Sequence, residues 1–294
     1  MPLNRLRQFG RGLGLLLGVA LLALAVVYAV RGVDWTVLAD APLSGFVVLA
    51  VVVLGNLVLA GLLFWAVTLS FDASPGVGAA RMVGLVCVSA VLNYLPLPRA
   101  GLVGRSAYLK WRHDLPLRQS AVIVAIVLAL AVVVSGIAAG ALLVSGVTAG
   151  WLALAAAVVV LASVTGAIGR RVLGRAVRHG WLWVPLRTAD LLAAALRLWL
   201  AFALLGQPIG YEQAVLISAA SVLVKLVGLT PSGLGLSEWL IAVLAPVLAP
   251  VETATAAAAA VLDRAAEVVV VLIAGGVSMA IMRNELTVGR SQAT

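Results

Sequence analysis

Apolar residues run through this chain in long, nearly unbroken segments, and the interruptions organise it. The segments span approximately 13–30, 43–70, 77–97, 119–144, 151–168, 188–205, 214–229, 236–250 and 254–282. Several reach the roughly 18 residues that a helix needs to cross a hydrocarbon core about 30 Å thick. Two are short: at ~1.5 Å per residue, 214–229 and 236–250 are each only about 22–25 Å long as helices. Between these two lies LTPSGLG, residues 229–235, and 77–97 runs into NYLPLPRAG, residues 93–101. Proline with nearby glycine normally marks a turn. The pattern predicts an all-α polytopic membrane protein, a single integral membrane domain over 1–294, with two broken elements at about 77–118 and 214–250.

Composition sharpens this reading. The chain is 64% hydrophobic and 11% charged, and a soluble core of this size would carry far more surface charge. The net charge of +9 sits in connections between apolar segments, which points to membrane topology rather than to nucleic acid. Arg5, Arg7 and Arg11 precede the first segment. Arg99, Arg105, Lys110, Arg112 and Arg118 lie in 98–118, and Arg170, Arg171, Arg175, Arg178 and Arg187 in 169–187; Arg283 and Arg290 follow the last segment. By contrast, 31–42 sets Arg31 against Asp34 and Asp40, 145–150 is uncharged, and 207–213 and 251–253 carry only Glu212 and Glu252. Cytoplasmic loops collect Lys and Arg. Both termini, 71–76 (with Arg81 just beyond), 98–118 and 169–187 are therefore expected on the cytoplasmic side of a bacterial inner membrane.

Parity then constrains the broken elements. Segment 77–97 starts and ends on the cytoplasmic side, so it dips in and returns, with NYLPLPRAG near its turn. The pair 214–229 and 236–250 starts and ends outside, which suits a hairpin entering from the opposite face with TPSGLG at its tip; two short full crossings satisfy the same parity. The expected architecture is about six spanning helices plus two re-entrant hairpins of opposite orientation, a candidate inverted repeat. Pro98 precedes Arg105 by seven residues and Pro231 precedes Glu238 by seven, with Gly101 and Gly104, then Gly233 and Gly235, in between. Irregular backbone at membrane depth survives where protein or a watery cavity surrounds it, and paired interruptions of this kind point to a transporter's substrate site.

The N-terminal apolar run, 13–30, is long for a signal core, so an uncleaved first helix is expected despite Ala23-Leu24-Ala25. The single Cys87 excludes a disulfide within the chain and a multi-cysteine metal site. His113 and His179 each neighbour arginines and look like loop residues. Neither a phosphate-binding loop nor a Ser-His-Asp or metal-ligand cluster is evident, so the protein is not expected to be an enzyme or to carry a cofactor or metal. Gly136 and Gly140 form a G-x-x-x-G that reads as close helix packing.

The remaining candidates are charges within apolar segments, which are costly enough, at ~3 kcal/mol, to read as paired and functional. The cations are Arg197, Lys225 and Arg264; the acids are Asp190, Glu238, Asp263 and Glu267. Asp263 and Glu267 share a helix face, Arg264 stands three before Glu267, and Asp190 and Arg197 lie two turns apart on one face. The bland reading of such groups is ion pairs that hold the bundle together. Ser237 and Glu238 open a helix after a glycine turn, where the helix dipole favours a carboxylate. Lys225 either meets a phosphate or snorkels to the interface. Arg99 and Arg105 flank the other turn, and arginine's fork suits phosphate.

NYLPLPRAGLVGRSAYLK, GLTPSGLGLSEW and AAVLDRAAEVV together resemble the lysylphosphatidylglycerol synthase transmembrane-region family, over nearly the whole chain. Its second-half pattern, a P-x-G-x-G-x-x-E turn with an arginine in the last long helix, falls on Pro231, Gly233, Gly235, Glu238 and Arg264. In the first half Arg99, Gly101 and Arg105 match, but Leu102 stands where the family has an acid, and AVIVAIVLALAVV lacks the charges of the family's next helix. The resemblance implies movement of a polar-headed lipid, an aminoacylated phospholipid or an isoprenoid-linked glycolipid, between leaflets. Lysyl transfer belongs to a separate soluble domain in bifunctional members, and these residues include no such domain. The resulting candidate substrate-binding set is Arg99, Gly101, Arg105, Lys225, Pro231, Gly233, Gly235, Glu238, Asp263, Arg264 and Glu267. The alternative is a non-transporting accessory subunit for a glycosyltransferase or lipid-modifying enzyme, which would then be the protein partner.

Overall fold

The computed structural model describes residues 3–32, 36–71, 76–95, 100–145, 147–172, 179–227 and 230–288. Among these every regular element is helical. In chain order the α-helices are α1 (Leu3–Gly32), α2 (Thr36–Asp40), α3 (Leu43–Thr68), α4 (Ala79–Leu92), α5 (Ala100–His113), α6 (Leu117–Ser145), α7 (Val147–Val172), α8 (Trp183–Leu204), α9 (Tyr211–Val227), α10 (Leu236–Leu248) and α11 (Thr253–Val288). By length and composition, four described stretches can cross a membrane: Leu43–Thr68, Leu117–Ser145, Val147–Ala167 and Thr253–Arg283. At 22 residues α8 is as long, but Arg187, Asp190 and Arg197 interrupt its apolarity. The chain is a multi-pass membrane protein.

The connections sort to two ends of the bundle. At one end, Trp183 at the start of α8 donates through Nε1 to the Ala66 carbonyl near the end of α3, 3.2 Å away. Trp65 donates likewise to Val77 before α4, and Leu115 and Met282 join the same apolar cluster. At the other end Gly32 of α1 packs against Ala254, Gly45 against Leu204, and Gly206 against Val37. The α5–α6 connection at Leu115 and the start of α8 thus lie at the first end, and the nearly uncharged connections before α3, α9 and α11 at the second.

α11 is the axis that the two short hairpins share. α9 and α10 run antiparallel, their bases joined where Gln213 donates through Nε2 to the Leu248 carbonyl at 2.7 Å, beside the start of α11. Their turn, 230–235, ends at α10's first turn, where Glu238 meets Arg264 of α11. Arg264 is about 17 Å along α11 from Thr253 at ~1.5 Å per residue, near the middle of its apolar stretch. α4 approaches from the opposite end of α11. Gly84 lies beside Ser278 and Met282, Gly275 fits against Cys87 and Val91, and Tyr94 just beyond α4 reaches Glu267. Both hairpins therefore stop at the same level of α11, having started from opposite ends.

Several expectations change. The stretch 98–118, read as a basic loop, is mostly helix α5, the return arm of the first hairpin. Its closeness to α4 depends on Gly101, whose missing side chain would collide with the Ser89 carbonyl oxygen, and whose N–H donates to Asn93 Oδ1 at 3.0 Å. His113 is the buried last residue of α5 rather than a loop residue. Arg187, read as a loop cation, is a buried residue of α8. Gly136 and Gly140 approach no other helix among the described residues, and both are exposed on that face of α6.

Candidate functional site

The turn 230–235 is built from backbone that few residues adopt. Gly233 and Gly235 have φ of 70° and 76°, and Ser232 is left-handed at 53°; glycine makes such φ inexpensive. Space demands glycine as well. A Cβ on Gly235 would lie 2.5 Å from the Gly18 carbonyl oxygen and from Leu21 Cβ in α1, and one on Gly233 would lie 2.7 Å from Lys225 Cγ. α1 is fastened over the turn by Trp239, whose Nε1 donates to the Leu21 carbonyl at 2.9 Å. The turn is thus covered by protein, which is what unpaired backbone at this depth requires. Ser237 closes the start of α10 by donating to the Gly233 carbonyl at 2.7 Å.

Beneath the turn is a cavity of about 210 Å³ lined by α3, α8, α9, α10 and α11. Its walls hold four cations, Arg187, Arg197, Lys225 and Arg264, and four carboxylates, Asp190, Glu238, Asp263 and Glu267. Arg197, 6% exposed, makes a fork onto Asp263, Nε to Oδ1 and Nη2 to Oδ2 both at 2.9 Å, and Nη2 also reaches Glu267 Oε2 at 2.7 Å. Arg264 donates through Nε to Glu238 Oε1 at 2.5 Å, through Nη2 to Ser237 Oγ at 3.0 Å, and through Nη1 to Glu267 Oε1 at 3.4 Å. Arg187 pairs with Asp190. Such bidentate and shared pairs hold their geometry well, because each guanidinium presents its donors in a fixed plane. Tyr94, from the tip of the first hairpin, donates to Glu267 Oε1 at 3.4 Å. Both hairpin tips therefore meet one web of charge.

Asp190 and Arg197 do not pair directly, although they share a face. Asn56 of α3 joins them: its Nδ2 donates to Asp190 Oδ1 at 2.6 Å, and its Oδ1 accepts from Arg197 Nη1 at 3.1 Å. Arg264 pairs with Glu267 as its spacing suggests, but its shortest bond is to Glu238, 26 residues away. No cluster of three or more His, Cys, Asp or Glu fit to hold a metal occurs among the described residues.

Of the residues singled out by sequence, Lys225, Glu238, Asp263, Arg264 and Glu267 converge on the cavity. Gly233 and Gly235 shape the turn above it, and Pro231 belongs to that turn's backbone. Gly101 and Arg105 do not line the cavity. Gly101 packs α5 on α4, and Arg105, 4% exposed, lies over the Phe64 ring with 3.4 Å between guanidinium and centroid, a cation–π contact. Arg99 falls outside the described residues. Asn56, Tyr94 and the serines at 218 and 221 escaped the sequence reading. Asn56 left a signal: it is the sole amide in the apolar run 43–70.

A family profile described as "Lysylphosphatidylglycerol synthase TM region" matches residues 15–275. No curated protein and no solved structure matches the chain.

Proposed function

The chain belongs to the lysylphosphatidylglycerol synthase TM-region family, and from that premise we propose that it is a flippase-like transporter for a polar-headed lipid rather than an enzyme. The observation that carries this reading is the charged cavity beside the second hairpin's tip, whose Glu267 is also reached by Tyr94 from the tip of the first, inside a body whose outer face is apolar. In this reading both hairpins are re-entrant and related as an inverted repeat, the membrane is a bacterial inner membrane, and the termini face the cytoplasm. A headgroup enters the cavity while its chains stay in lipid. The fixed dipoles and charges of the wall replace the water it loses. Broken helices here serve to bring polar groups to the bilayer's middle without exposing unpaired backbone to lipid.

Purified protein in liposomes should speed inversion of a labelled phospholipid well above empty vesicles, and Glu238→Ala should remove that increment. Rates equal to empty vesicles across a broad lipid panel would sink the proposal. One observation favours a second reading: among the described residues the first hairpin gives the web the Tyr94 hydroxyl alone, while its Arg105 lies over Phe64. If the chain is instead an accessory subunit, it should co-purify in fixed stoichiometry with a lipid-modifying enzyme and show no inversion of its own.

A further inference from the structure

The cavity wall carries equal numbers of positive and negative side chains, but they are not all occupied. Three arginines hold the four carboxylates: Arg187 takes Asp190, Arg197 takes Asp263 and Glu267, and Arg264 takes Glu238 and Glu267. Arg197 and Arg264, each shared between two carboxylates, are thus committed to the wall and are poorly placed to receive a further anion. Three groups remain. Lys225 is exposed, lines the cavity, and makes no hydrogen bond or ion pair among the described residues. Arg187 also lines the cavity and has a buried Nε without a partner. On the other sign, Glu238 is 2% exposed and its Oε1 is fixed by Arg264, while Oε2 is buried with no donor.

An anion alone would satisfy Lys225 and Arg187 but leave Glu238 Oε2 bare beside added negative charge. A cation alone would do the reverse. Leaving a buried acceptor unpaired is costly, and more so for a charged one. Building on the transport reading, we infer that the cavity takes a zwitterionic phosphodiester headgroup bearing one primary ammonium. Its phosphate meets Lys225 and Arg187 Nε, and its ammonium donates to Glu238 Oε2. The stem of Lys225 and the start of α10 lie side by side across Gly233, so the two signs are offered from neighbouring elements, as a short headgroup requires. The wall neutralises itself, so a net-neutral headgroup adds no charge to the membrane's interior, where uncompensated charge is most expensive.

The test uses the full chain in liposomes with three chain-labelled lipids: phosphatidylethanolamine, phosphatidylcholine and phosphatidylglycerol. Phosphatidylcholine matches the charge but has no N–H to donate; phosphatidylglycerol has no cation. Phosphatidylethanolamine should invert about tenfold faster than either, the scale of one charge-assisted hydrogen bond. Glu238→Gln should bring its rate close to that of phosphatidylcholine, and Lys225→Met should slow all three. In parallel, native mass spectrometry of wild type and Glu238→Gln in detergent should show preferential retention of phosphatidylethanolamine by the wild type alone. Phosphatidylglycerol retained as well as phosphatidylethanolamine overturns the headgroup assignment, and phosphatidylglycerol inverted as fast overturns it while leaving transport standing. Selective retention of phosphatidylethanolamine without inversion of any lipid supports the assignment and overturns the transport reading.

Discussion

Arg264 and Glu238 meet with both side chains almost wholly removed from solvent, at 6% and 2% exposure of the side chains. Neither is tolerable alone, since a buried charge stripped of its partner loses roughly 3–5 kcal/mol. Arg264→Gln is expected to destabilise the protein by about that much, and adding Glu238→Gln to it should restore part of the loss. Unfolding in mixed detergent micelles measures this; a single variant as stable as wild type would show that the pair is not closed in solution. Asn56 acts differently, as a neutral link between two charges. Asn56→Leu keeps the branched shape but leaves Asp190 Oδ1 and Arg197 Nη1 each short of a bond, at a cost of about 1–3 kcal/mol. The same micelle titration should register it, and Asn56→Gln should not rescue it, because the longer side chain cannot place both ends at 2.6 and 3.1 Å.

Within the first hairpin, helix contact rests on particular glycines. Gly101→Ala would drive a methyl into the Ser89 carbonyl on the backbone of α4, which cannot swing aside; at Gly104 the methyl would meet only Leu92 Cδ1 at 3.0 Å. That Leu tip can change rotamer. Gly101→Ala should therefore lower the melting temperature in detergent by several degrees while Gly104→Ala stays close to wild type. Equal melting temperatures for the two would mean that α5 does not sit against α4 as described. In the second hairpin the corresponding contact is made by α1, so Gly235→Ala combines a strained φ of 76° with a clash on α1, and both effects act in one direction. Limited proteolysis after α1 should accelerate in this variant if α1 is dislodged from the turn.

Two hairpins that start at opposite ends of α11 and stop at one level are expected, on the proposed topology, to open toward opposite sides of a bilayer. Cysteine labelling resolves this directly, because Cys87 is buried and is the sole cysteine. In a Cys87→Ala background, a cysteine at Gln207 near the base of α9 and one at Arg112 near the end of α5, both exposed, should react from opposite sides of sealed vesicles. Labelling of both from one side would contradict opposed hairpins.

Much of this organisation was legible from residues alone. Apolar length and the uneven spread of Lys and Arg required helices, their approximate bounds, the sorting of loops to two ends and the presence of two interrupted elements, because transfer of charge and unpaired backbone into lipid is prohibitive wherever it occurs in the chain. The turn at 230–235, with Glu238 following, was recognisable for the same reason. Partnership was not legible. That Arg264 takes Glu238, that Asn56 sits between Asp190 and Arg197, that Tyr94 reaches Glu267, and that Arg105 turns to Phe64 rather than to the cavity all join residues on different helices. Helical periodicity says only which residues share a face. Which faces meet is decided by packing, and there the close approach permitted by Gly101, Gly235 and Gly275, rather than any charge pattern, sets which side chains come within reach of one another.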